Sequence, residues 1–208
     1  MAGDPHREPE LAASPQDWSR LISVWIKDLQ SARRAEAIQG LTVFVRNRLA
    51  ALAEYIDYTV ADGKPLVAVL GEEMEVLERA LFGPEPGIAD EREFYERSAA
   101  VIRDCLVARL KNLPLKSEGP AARSYERARR AAGGKQKKDQ LDLWCEFHCE
   151  AGKLPSPLLA VHDLMYYARL PLAEAAAVLG KPVEIVAMEK DEAVGRLRPL
   201  FDKARGKA

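Results

Sequence analysis

The chain is expected to be all-α: two helical domains joined by a basic linker, the second ending in a helix-turn-helix. Three observations predict this. No period-two run of β-branched residues flanked by turn dipeptides occurs, and Ala, Leu, Glu and Arg dominate from end to end. Large apolar residues recur at intervals of three and four between interruptions by Gly and Pro. A chain of 208 residues also suits one large domain or two small ones, each burying its own core.

The elements follow in order. Residues 1–15, rich in Pro and charge, read as a disordered tail. Ser14-Pro15 opens the first helix, with a Ser cap and Pro at the first helical position, and Trp18, Leu21, Ile22, Trp25 and Leu29 form its apolar stripe. A second segment from Ala32 to Val60 carries Ile38, Leu41, Phe44, Val45, Leu49, Leu52 and Ile56, with a break expected near Gly40. Ala61-Asp62-Gly63-Lys64-Pro65 stops it, a third helix spans Leu66 to Phe82, and Gly83-Pro84-Glu85-Pro86-Gly87 ends that one. Glu91 to Leu113 is the fourth, with Phe94, Ala99, Ile102, Leu106 and Leu110 on one stripe. The first domain is thus 16–115.

Composition then shifts. From Arg123 to Lys138 there are seven basic residues (Arg123, Arg127, Arg129, Arg130, Lys135, Lys137 and Lys138) against one acid, Glu126, with Gly133-Gly134 between them. Residues 116–140 read as an interdomain linker, or as a basic helix followed by a hinge. Such a run is usually solvated, but it also suits contact with nucleic-acid phosphates. The second domain, 141–208, begins with a helix to Ala151, a turn at Gly152-Lys153-Leu154-Pro155-Ser156-Pro157, and a helix from Leu158 to Tyr167.

In LPLAEAAAVLGKPVEIVAMEKDEAVGRLR, Pro171 stands where a first helical residue should be, and Leu172, Ala175, Ala176 and Leu179 supply a buried face. Gly180 suits a left-handed helix end, and Pro182 starts a second helix with the stripe Val183, Val186, Val194 and Leu197. Two short helices crossing through a Gly turn make a helix-turn-helix, or an ordinary helical hairpin without a ligand.

The stretch from Leu154 to Arg198 resembles the DNA-binding fourth region of extracytoplasmic-function sigma factors. Leu154-Pro155, Leu172-Ala173-Glu174, Ala177-Val178-Leu179-Gly180, Pro182-Val183, Val186 and Arg196-Leu197-Arg198 fall in register without a gap. Upstream, WSRLISVW, LTVFVRNRLAALA, LVAVLGEEMEVLERALF and EFYERSAAVIRDCLVARL are similar in spacing to that family's second region. The resemblance implies a protein of transcription initiation. Its partners would be core RNA polymerase, bound mainly through the first domain, and promoter DNA, bound and opened. In place of the family's basic and polar residues, the second helix here has Glu184, Ile185, Ala187, Met188, Glu189, Lys190 and Glu192 as its DNA-binding positions.

Those positions conflict with the physics of DNA binding, which depends on neutralising phosphates. Pro171 to Asp202 holds four basic and six acidic residues, and Asp62 to Glu96 holds ten acids, including Glu72, Glu73, Glu75 and Glu78, against three bases. Lys190 also stands where the family has an apolar residue, which implies a turned or shortened helix. A second expectation follows: a degenerate sigma mimic or adaptor that binds an anti-sigma or other regulatory protein, or polymerase, without reading DNA.

Other constellations point elsewhere or nowhere. Cys145, His148 and Cys149 share a helical face where three soft ligands would suit zinc, or where both thiols serve as small apolar groups. With no paired Cys-x-x-Cys knuckles, no metal and no cofactor is expected. No phosphate loop, Gly-x-Ser-x-Gly or His-Glu-x-x-His motif occurs, so the chain is not read as an enzyme. His162 reads as a core-edge residue. Three cysteines, an odd and small number, fit a reducing cytoplasm. No apolar run reaches the ~20 residues of a membrane span and no signal peptide is apparent, so a soluble, cytoplasmic protein without membrane contact is expected.

Overall fold

The structure, a computed structural model, describes residues 15–60, 74–83, 87–112 and 134–205. These residues are helices and the short connections between them, with no strand among them. The expected tail, the start of the third helix with Glu72 and Glu73, and most of the basic segment lie outside the described residues.

Helix α1 (Pro15–Asp28) starts at the proline, as its sequence predicts, and buries Ile22, Trp25 and Ile26. It turns at Ser31, where Arg33 closes back on Asp28 at 2.8 Å. Helix α2 (Arg34–Val60) then runs for 27 residues without the break expected at Gly40. The glycine serves packing. A Cβ there would stand 2.5 Å from the Trp25 ring, so its absence lets the indole of α1 lie directly on α2. Gly inside a helix costs roughly 1 kcal/mol relative to Ala, and burying Trp25 to 3% exposure outweighs that.

Helices α3 (Met74–Phe82) and α4 (Glu91–Asn112) complete the N-terminal half, with Leu77, Leu81, Phe94 and Tyr95 turned inward. Asp90 caps α4, accepting from the Glu93 backbone N–H at 2.8 Å, and the Glu93 carboxylate accepts from the Ala89 N–H one residue before the cap.

Helix α5 (Gly134–Ala151) packs on α4 and along the last helix. Its Trp144 is fully buried and meets Phe147, Phe201 and Tyr55 edge-on, rings contributed by three helices. The buried side chains of both halves form one cluster. Helix α6 (Ser156–His162) begins two residues before the expected start and passes directly into a π-helical turn, Asp163–Tyr167, a geometry that often accompanies functional sites.

Helices α7 (Leu172–Leu179) and α8 (Val183–Ala204) follow. Pro171 and Pro182 each occupy the residue just before the helix, one position earlier than predicted. Gly180 adopts φ +61°, with its N–H donating to the Ala177 carbonyl and the Lys181 N–H donating to that of Ala176. This is the paired-bond helix ending that left-handed residues support. Replacing Gly180 by Val should cost about 1–2 kcal/mol. A melting temperature lowered by several degrees, with Gly180→Asn nearly neutral, is the expected calorimetric result.

Helix α8 is neither turned away nor shortened as Lys190 implied. It runs 22 residues, past Pro199. Its buried stripe is Val186, Ala193, Leu197 and Ala204, so Val183 and Val194, expected inside, are exposed instead. Over so long a helix the 3.6-residue period moves 194 off the buried line and 193 onto it. Among the described residues no helix is long and apolar enough to cross a membrane.

Candidate functional site: the exposed face of α8

Three polar links orient the α7–α8 pair. Ser19 Oγ of α1 donates to Glu174 Oε2 of α7 at 2.6 Å, Arg48 Nε of α2 donates to the Tyr167 carbonyl at 3.0 Å, and Arg103 of α4 pairs with Asp163 at 2.7 Å. With Ala175, Ala176, Leu179 and Val186 buried beneath, the opposite side of α8 faces outward.

On that side stand Glu184, Ile185, Met188, Asp191 and Glu192, with Met188 at 69% exposure. Ala187, Glu189 and Lys190 are half-buried at its edge. Glu189 is held by Lys181 Nζ, which donates to both carboxylate oxygens at 2.7 and 2.8 Å. Lys190 lies 3.6 Å from Asp191, Arg196 pairs with Glu192 at 2.8 Å, and Arg198 with Asp202 at 3.4 Å. Such exposed pairs contribute little stability, ~0–1 kcal/mol each. They do occupy cations that would otherwise meet a phosphate. The sequence-predicted residues are therefore brought to one surface and its edge, but it is apolar and acidic, with Ile185 and Met188 exposed on it.

No family model, curated protein or solved structure matches this chain. Its chemistry has to be read from its own residues.

The basic segment adds nothing geometric. Arg123, Arg127, Arg129 and Arg130 lie outside the described residues, while Lys135, Lys137 and Lys138 fall on the first turns of α5 with side chains that are likewise outside.

Cys145, His148 and Cys149 do not converge. His148 points into the core at 0% exposure, with Nδ1 2.8 Å from the Tyr167 hydroxyl, whereas the half-buried thiols sit together on the flank. Burial, then the neighbouring Cys149, pushes the Cys145 thiol up, which disfavours the thiolate that zinc needs. Among the described residues no three His, Cys, Asp or Glu side chains are arranged to hold a metal.

The α5–π-turn junction does form a buried polar cluster. His162 stacks on Tyr166 at 5.0 Å, Arg103 lies 5.6 Å above the Tyr167 ring, and His148 Nε2, His162 Nε2 and Tyr166 Oη are buried without partners. Burial pulls His148 down to about 3 and His162 to about 4, so both are neutral at pH 7. His148, His162 and Tyr167 are all buried, and the cluster reads as a packing joint between the two halves. The structure also brings together Arg48 and Arg169, which no motif had singled out.

Proposed function

We propose that the chain is a sigma-factor-like transcription initiation protein, with α7 and α8 as its helix-turn-helix, that binds core RNA polymerase and promoter DNA. The observation that carries this is the α7–Gly180–α8 unit. Its left-handed closure falls at Gly180, the Gly of the motif that carries the resemblance, and an all-helical N-terminal half is compatible with the same reading. A two-domain arrangement with a basic linker belongs to the same proposal. Helices α1 to α4 would engage polymerase.

A second reading is favoured by one observation, the pairing of Lys181, Lys190, Arg196 and Arg198 with carboxylates. A helix that reads a duplex needs cations available to phosphates and polar groups for base edges. The face formed by Ile185, Met188 and their acidic neighbours suits a protein surface better, as in a sigma mimic or adaptor.

The deciding experiment is retention of purified core polymerase by the tagged chain, followed by promoter binding at two salt concentrations. Retention with salt-sensitive promoter binding supports the first reading. Retention without it leaves the adaptor, and loss of polymerase with capture of an anti-sigma protein leaves the mimic. The α8 face gives a sharper prediction. The double variant E184R/D191R should gain affinity for duplex DNA, with the slope of log K against log salt steeper by about 2 in fluorescence anisotropy. E189R should gain less, because it sets a second cation against Lys181.

A further inference from the structure

A cleft of about 410 Å³ opens between α1, α2, α4 and the segment Ala168–Leu170 that leads into α7. Its size falls within the range of small-molecule sites. Trp18, half-buried, is the aromatic ring open to it, backed by Phe44 at 5.4 Å, which is itself buried with Tyr95 in the core. Two guanidinium groups, Arg48 and Arg169, stand on its wall beside Asn47, and Glu54 is the one acid lining it.

The two arginines are placed at a cost. Arg48 spends its Nε–H on the Tyr167 carbonyl, while its Nη2 is buried without a partner. Burial, and then the charge of Arg169, pulls Arg48 down to about 10. Among the described residues neither side chain has a carboxylate within ion-pair distance. Arg48 is half-buried and Arg169 exposed, so the penalty falls on the one enclosed Nη2 group, which an anion in the cleft would relieve.

Arg169 adds an independent observation. It has φ +60°, and no other non-glycine among the described residues has a positive φ. The left-handed turn closes the π-helical turn, with the Ala168 N–H donating to the Asp163 carbonyl and the Leu170 N–H to that of Leu164. Glycine fits such a position without strain, yet the chain sets an arginine there and directs a second cation at the first. Strained residues that persist next to a cleft commonly serve a ligand.

We propose that this cleft binds a small molecule with an aromatic ring and a phosphate or carboxylate group, the ring lying against Trp18 and the anion held between Arg48 and Arg169. The fork of two guanidiniums suits a planar or tetrahedral oxyanion, and the anion relieves their mutual repulsion. Because the walls come from α2 and from the segment leading into α7, an occupant ties the N-terminal helices to the α7–α8 pair. This goes beyond the proposed function and stands whether or not α8 touches DNA.

Phenyl phosphate and benzoate serve as probes on the full chain, followed by titration calorimetry and by tryptophan fluorescence, with Trp18→Phe identifying the reporting ring. Saturable binding of either probe is expected, with inorganic phosphate and phenol each at least tenfold weaker. The stronger of the two probes identifies the anion. Arg169→Gly is the decisive variant, since it keeps the turn and removes only the guanidinium. It should raise the melting temperature by a few degrees while weakening the probe at least tenfold, and Arg48→Gln should weaken it similarly. Equal affinity in Arg169→Gly and the parent chain, or no saturation by either probe, would overturn the proposal.

Discussion

Replacing Arg103 with methionine is expected to destabilise the protein by about 3–5 kcal/mol, the cost of leaving one member of a buried pair alone. Arg103 and Asp163 side chains are 12% and 5% exposed and meet at 2.7 Å, between α4 and the π-helical turn. Arg103 also covers the Tyr167 ring, so methionine retains part of the packing while removing the charge. The loss therefore reports the stranded carboxylate rather than a cavity. The double variant R103M/D163L should recover most of it, because two apolar groups of similar volume avoid desolvation altogether. A double-mutant cycle by urea unfolding at pH 7 measures this, and a double variant no better than R103M alone would mean that the pair is minor. The single variant carries its own signature. Burial already raises Asp163 to about 6 against the opposing pull of Arg103, so losing that cation raises it further. The deficit of R103M should accordingly shrink as pH falls towards 6, where only the variant's Asp163 takes up a proton, and level off below 6, where the parent's Asp163 is protonated as well.

Much of the secondary structure was legible because it is written locally. The Pro15 start, the stripes through Ile22, Trp25 and Leu29 and through Phe94, Ile102 and Leu106, and the stop at Gly180 need no tertiary information. Gly40 was misread for the complementary reason. Its low helix propensity is local, while the advantage it confers comes from Trp25 on another helix. The π-helical turn left no mark, since Asp163-Leu164-Met165-Tyr166-Tyr167 has the apolar spacing of an ordinary helix. The turn packs against α4 with Asp163 facing Arg103, contacts that only the fold supplies.

The candidate site divides the same way. The acidity of α8 was visible in the sequence, but the engagement of its cations was not, because Lys181 lies in the turn and reaches Glu189 only once α7 and α8 are crossed. Arg48 and Arg169 were invisible as a pair. One sits in a helix that reads as core and the other in a connecting segment, and only the fold brings their charges together.

Acidification should unfold this protein through its buried histidines. An unfolded histidine titrates near 6.5, whereas His148 stays neutral in the folded state down to about 3 and His162 down to about 4. Below pH 6.5 the unfolded chain thus binds more protons than the folded one, and stability falls as pH falls. Asp163 works in the opposite direction. Its folded value of about 6 lies above the unfolded 3.8, so between those limits the folded state holds the extra proton and gains as pH falls. Arg103 faces all three groups across the junction, and Glu96 of α4 also acts on Asp163. Two protons resisted against one accepted leave a net loss of about 3 kcal/mol between pH 6.5 and pH 4. Urea unfolding at half-unit steps should trace that decline, and His162→Phe, which preserves a ring against Tyr166, should remove the larger part of it. An unchanged acid limb in this variant would mean that His162 is already protonated in the folded protein and that the junction opens to water.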